Sequence, residues 1–238
     1  MREVSGSPLY TLPAHRATLA DLAVDYSAAL ALVLRCCELL GRVEHGTASS
    51  NDAVLLRGLT PIAKAATARL AVAGVAEAME AIGGVGYCED STIPTLVRDT
   101  HVQPIWEGTT NVLSLDFLRA ARAGALDAIL EDATECTRTA THAAVAEAAR
   151  AASAAVRTIS KKWGELAAEE IRAEAFARSL ALGVATTYAC ARLGLQRAGA
   201  AERGDGRVAA IASRLAARGL LPPGPPLEAA LAAEADLI

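Results

Sequence analysis

Apolar residues recur along this chain with a helical period. Leu19, Leu22, Tyr26, Leu30, Val33, Cys37 and Leu40 step by three and four, which predicts an amphipathic helix over about 14–40. At ~1.5 Å per residue it would be roughly 40 Å long, the length of a bundle helix. The polar, turn-rich stretch 41–51 ends it, and Ser50 or Asn51 can cap a second helix that runs to Ile82. Pro61 falls inside that run, so a kink is expected there, or a restart capped by Thr60. Gly83 and Gly84 then stop the helix. A short helix over about 92–101 carries Arg98 and Asp99. Another is expected from Thr109 to Arg122, burying Val112, Leu115, Phe117, Leu118 and Ala121. After Gly124 the chain becomes alanine-rich and studded with arginine, with helices over about 125–152, 153–172, 174–199 and 204–218. The proline-rich segment 220–226 cannot be helical. The pattern is all-α: a helical bundle over residues 1–123, then an additional helical domain over 124–238.

Composition supports helices over strands. Hydrophobic residues make up 53% and aromatic residues 3%, so the apolar mass is alanine, leucine and valine. The lysines are Lys64, Lys161 and Lys162 alone, against many arginines. A net charge of −4 gives no strong field for nucleic acid or an anionic membrane. No uncharged apolar run reaches the roughly 18 residues of a membrane span. The five cysteines form no C-x-x-C pair, and no His or Cys spacing suggests a metal site. Free thiols in a reducing cytoplasm are the expectation. Cys88 reads as a small core residue, Arg98 and Asp99 as an ion pair or helix-end contacts, and the four histidines as incidental.

The chemistry is expected between Glu80 and Asn111, where two glycine-rich breaks, Gly83-Gly84-Val85-Gly86 and Glu107-Gly108-Thr109-Thr110, lie between helices. A carboxylate between an indole and a glycine, as in Trp106-Glu107-Gly108, is an unusual local choice. The residues alone also fit a glutamate at the N-terminus of the helix beginning at Thr109, where the dipole favours an anion. Likewise G-G-x-G is an ordinary helix stop as well as a place where backbone approaches phosphate.

G-G-x-G-Y, then R-D, then W-E-G-T, in this order and spacing, resembles the C-terminal helical domain of the acyl-CoA dehydrogenases. Arg2 to Leu9 is similar to the R-x-x-F-G-x-P-L loop of that family, with Ser5 where a phenylalanine is expected. The cysteine and acidic residues after G-G-x-G-Y, and the L-D-x-L-R ending, resemble its AidB-like, alkylation-response branch. So does the further helical segment after the bundle. The resemblance implies an FAD-dependent desaturation of an acyl-CoA thioester between its α and β carbons. It places the α-proton base on Glu107, whose N–H would hold the thioester oxygen together with a flavin hydroxyl. It assigns FAD contacts to Gly83, Gly84, Gly86, Trp106, Gly108, Thr109 and Asn111, and to Arg2 across a subunit interface.

In that family an N-terminal helical domain and a middle β-domain precede this one. The resemblance therefore implies a chain that is incomplete as an active site alone, and association with a chain supplying the other domains. It also implies homo-oligomerisation through residues 14–122. Two other readings stand beside it. One is AidB-like DNA binding, for which 157–218 carries eleven Lys or Arg against six Asp or Glu. The other is a purely structural oligomerisation bundle.

Overall fold

Two helices of 32 and 33 residues, α1 (Pro13–Glu44) and α2 (Ser50–Ile82), form the spine of the protein. The computed structural model describes residues 3–4, 6–202 and 207–221; Arg2, Ser5 and residues 222–226 of the proline-rich segment lie outside the described residues. Before α1, two short antiparallel strands, β1 (Glu3–Val4) and β2 (Ser7–Pro8), pair around Gly6. The cap of α2 is Ser49, one residue earlier than expected. Its hydroxyl accepts from the Asp52 N–H at 3.1 Å, while the Asp52 carboxylate accepts from the Ser49 N–H at 3.0 Å. Helix α2 continues through Pro61 without a restart. The Thr60 hydroxyl caps nothing and donates back to the Leu56 carbonyl at 2.8 Å. Pro61 is buried with Leu59, Ile62 and Ala63, so packing on both sides holds the helix across the missing hydrogen bond.

Gly83, at φ 82°, ends α2 and leads into the single turn α3 (Gly84–Tyr87). Then come α4 (Ile93–Val102) and α5 (Thr110–Arg122). Gly124, at φ 92°, turns the chain directly into α6 (Ala125–Thr139). The helix expected over 125–152 breaks after Thr139. His142 accepts the Ala144 N–H at 3.2 Å and starts a 3-10 turn that leads into α7 (Ala146–Leu166). Helices α8 (Glu170–Glu202) and α9 (Arg207–Ala217) complete the described chain.

One core runs through both halves: Val24, Leu32 and Leu39 of α1, Leu55, Leu59 and Ile62 of α2, Phe117 of α5, Leu126 and Ile129 of α6, and Val184 and Tyr188 of α8. Each large side chain buried there contributes about 1.5–3 kcal/mol. Gly58 sets the approach of α2 to α6, since a Cβ on it would stand 2.8 Å from that of Ala125. The buried face of α1 is not the stripe that its leucines suggested. Val24, Ser27, Ala28, Ala31, Leu32, Arg35 and Leu39 face the core, whereas Leu19, Tyr26, Leu30, Val33 and Leu40 are exposed. Helix α1 is apolar on both faces, and the face with more small residues packs closest to its neighbours. Helix α1 is long and apolar enough to cross a membrane by length and composition alone, with a mean hydropathy of 1.6 over its most apolar window. In the fold, one of its sides is part of the core. On α5 the pattern splits the same way: Phe117, Leu118 and Ala121 are buried, but Val112 and Leu115 are exposed.

Charged groups tie the outer helices to this spine. Arg214 of α9 and Arg218 just after it pair with Asp21, and Arg218 reaches Asp25 at 2.6 Å. Arg192 lies 3.7 Å from Glu38 of α1, and Arg172 bonds Glu169 at 2.6 Å. Several of the cations that gave 157–218 its basic bias are thus committed to carboxylates within the chain.

Candidate functional site

The turn between α4 and α5 places the site. The N–H groups of Ile105 and Trp106 both donate to the Val102 carbonyl, at 2.9 and 3.1 Å, so the chain doubles back as soon as α4 ends. The Trp106 indole N–H donates to the Gln103 side chain at 3.2 Å, and the ring is half exposed. Glu107 then adopts φ 53°, and it is the one non-glycine residue at positive φ among the described residues. For an L-residue that conformation costs about 1–2 kcal/mol and persists only where its surroundings enforce it. Gly108 follows at φ 105°, packed so that a Cβ would stand 3.2 Å from the Leu113 side chain.

Thr109 caps α5: its hydroxyl accepts from the Val112 N–H at 3.4 Å. The capping role that the sequence left open for Glu107 belongs to Thr109. The Glu107 N–H meets no acceptor among the described residues. Across from the turn, the Lys64 ammonium on α2 donates to the carbonyls of Trp106 at 2.6 Å and Gly108 at 2.7 Å.

Glu107 stands on the wall of an open cleft of about 520 Å³ between α2 and α5. Val43, Leu56, Pro61 and Leu113 give it an apolar lining, while Thr60, Lys64, Arg57 and Asp116 supply the polar edge. Arg57 bonds Asp116 through both terminal nitrogens, at 2.8 and 2.7 Å. That bond, with the nearby charge, holds the Asp116 carboxyl below the usual carboxylate range. The arrangement offers an apolar volume, one carboxylate of unusual backbone geometry, and an N–H of the same residue without a partner.

The other sequence candidates are placed less uniformly. Gly86 is buried because a Cβ there would meet the Met79 carbonyl at 3.0 Å and the Ile82 side chain at 3.1 Å, so packing on the end of α2 accounts for it. Gly83 is the cap of α2, and Gly84 has open space where a Cβ would stand. The Asn111 side-chain oxygen accepts from Arg178 of α8 at 3.1 Å. None of these four residues lines the cleft that Glu107 borders. Arg98 pairs with Glu89, at 3.0 Å, and not with Asp99. Cys88 is exposed and its thiol donates to the Gly84 carbonyl, so it is no core residue. All five cysteines are unbridged. Sequence reasoning missed Lys64, Arg57, Asp116 and Arg178, whose partners lie 42 to 67 residues away. For Lys64 alone a signal was available, as a lysine in a chain that otherwise favours arginine.

The chain is similar to known proteins in sequence and in fold. Residues 1–122 match the family described as acyl-CoA dehydrogenase, C-terminal domain. Acyl-CoA dehydrogenase family member 11 of Caenorhabditis elegans is 47% identical over 118 residues, covering 50% of this chain and 19% of that protein. AidB of Escherichia coli K12 is 39% identical over 132 residues, covering 55% of this chain and 24% of that protein. The chain thus spans a quarter or less of the curated relatives it matches. The crystal structure of Caenorhabditis elegans ACDH-11 in complex with C11-CoA superposes with a TM-score of 0.87 at 31% identity, over 93% of this chain and 39% of that one. The likeness therefore continues past residue 122 into the helices after Gly124. Matched by family over its first half and by fold over nearly all its length, this chain belongs to the acyl-CoA dehydrogenase family, of which it carries the C-terminal helical domain.

Proposed function

We propose that this chain carries the proton-abstracting half of an acyl-CoA dehydrogenase site, with Glu107 as the base. The observation that carries the reading is the placement of Glu107, held at positive φ on the wall of an apolar cleft. An acyl-CoA is the substrate class, in keeping with the C11-CoA bound in the structural relative. The Glu107 carboxylate takes the α-proton, and the electron pair of that C–H bond moves into the thioester as an enolate. A backbone N–H without an internal partner stabilises such an oxyanion as it forms, and that of Glu107 is available. The apolar lining excludes water and favours the acyl chain over the polar nucleotide end.

FAD is the proposed cofactor and, when bound, would accept the β-hydrogen as hydride. Gly84, with open space beside it, the half-exposed Trp106 and the Asn111 amide are the positions left to face it. Gly86 is held by packing, and the Thr109 hydroxyl accepts the α5 cap while keeping its own proton to donate. This set amounts to one wall of a flavin site, and the remainder must come from protein outside the described residues. We propose association with a second copy, or with a chain carrying the other domains, as its source. The exposed apolar residues Tyr26, Leu30 and Val33 of α1, beside Leu70 and Val75 of α2, are the proposed face of the homo-oligomer.

Acyl-CoA-dependent reduction of an artificial electron acceptor, measured with FAD and with the chain that supplies the other domains present, tests the base. Glu107→Gln is expected to lower the rate at least about 100-fold, the range for losing a general base. Equal rates in the two proteins would contradict the assignment.

A further inference from the structure

Lys64 lies in the middle of α2, and its ammonium reaches the two carbonyls that flank Glu107, those of Trp106 and Gly108. An ammonium is a point charge with three donors, which suits carbonyls converging from different directions. A guanidinium is a planar fork suited to carboxylates. Lys64 is one of three lysines among 23 lysines and arginines, and the pairs that tie this fold together are otherwise made by arginine. The Trp106 carbonyl lies in the peptide plane before Glu107 and the Gly108 carbonyl in the plane after Gly108, so two bonds to one cation restrain the two-residue turn between those planes. Both residues of that turn, Glu107 and Gly108, have positive φ, and Glu107 is the one non-glycine in that conformation among the described residues. Both bonds go to carbonyls, and the Glu107 N–H has no acceptor among the described residues.

We infer that Lys64 is the positioning residue of the catalytic turn: it clamps Trp106 and Gly108 so that Glu107 is presented to the cleft in its left-handed conformation. The inference rests on the reading of Glu107 as base. Lys64 acts through the turn and needs no contact with substrate.

Trp106 and Trp163 are the two tryptophans of the chain, and Trp106 is itself a clamped residue. In a Trp163→Phe background, fluorescence anisotropy decay of Trp106 reads nanosecond motion of the turn directly. Lys64→Met keeps the aliphatic stem and removes the donors. It is expected to roughly double the amplitude of the fast local component, and Lys64→Arg to reverse at least part of that change. In the reciprocal Trp106→Phe background, Trp163, packed against the core, is expected to keep its decay. Should Lys64→Met fail to fold, Lys64→Gln, with an amide able to serve one carbonyl, gives the same comparison. An unchanged Trp106 decay, or an equal loosening of Trp163, overturns the inference. Deuterium uptake at the acyl α-carbon separates the two claims. A mobile Trp106 in Lys64→Met with uptake undiminished would overturn the positioning role, whereas uptake undiminished in Glu107→Gln would count against the base.

Discussion

The Tyr188 hydroxyl donates to the Asp132 carboxylate at 2.5 Å, joining α8 to α6 inside the core. The other oxygen of Asp132 accepts from Arg35 of α1 at 2.8 Å, so a single carboxylate holds three helices in register. Burial first, then the Asp132 charge, pushes the Tyr188 hydroxyl far above its ordinary pKa and keeps it a donor. Tyr188→Phe is expected to lose about 1–3 kcal/mol, the cost of a buried acceptor left unpaired. Asp132→Ala is expected to lose more, about 3 kcal/mol, because Arg35 is then left with Glu38 alone. Urea denaturation of the two variants checks the order, which reverses if the network is incidental.

The link between α9 and α1 carries a pH signature. Hydrogen bonds from Arg214 and then Arg218 hold the Asp21 carboxyl well below the usual carboxylate range. A carboxylate depressed in the folded state contributes stability that is fully present above its unfolded value, about 3.9, and is lost as pH falls through the folded value. Thermal melts below about pH 4 are expected to fall less steeply for Asp21→Asn than for the wild type. Because the Asp21 side chain is half-exposed, the difference at neutral pH should be small, and added salt should shrink it. Parallel curves for the two proteins would mean that α9 is held by its apolar contacts.

Thr60 is exposed on the edge of the cleft and makes its one side-chain bond within its own helix. Thr60→Trp therefore fills the cleft without entering the core. Its melting temperature is expected to stay within a few degrees of the wild type, while acyl-CoA affinity measured by calorimetry falls about tenfold or more, roughly 1.4 kcal/mol. Unchanged affinity would mean that the acyl group binds elsewhere.

Helices α1, α2, α4 and α5, the glycine stop at Gly83 and the turn at Trp106–Gly108 were legible in the sequence because each is written in local residue choice. The alanine-rich stretch after Gly124, in contrast, breaks into α6, α7 and α8 at places other than those expected. The faces of the helices were harder to read. Helix α1 carries large apolar residues on one side and small ones on the other, and periodicity favoured Leu19, Tyr26 and Leu30 over the side that packs. Val112 and Leu115 misled for the same reason, since an apolar residue is as easily turned outward as inward when a helix has more than one apolar stripe. Thr60 and Pro61 suggested a restart that tertiary packing overrides. The site's supporting contacts were out of reach: nothing in the spacing of Lys64 and Glu107, or of Asn111 and Arg178, shows that α2 and α8 bring them together.

The central claim is that Glu107 removes the α-proton, and enolisation can be observed apart from oxidation. Mass spectrometry of an acyl-CoA incubated with the chain in heavy water counts deuterium gained at the α-carbon. Rapid incorporation with the wild type and near-background incorporation with Glu107→Gln, at equal acyl-CoA binding, is the predicted result. Incorporation that survives the substitution, or that never exceeds background in the wild type, would contradict the account.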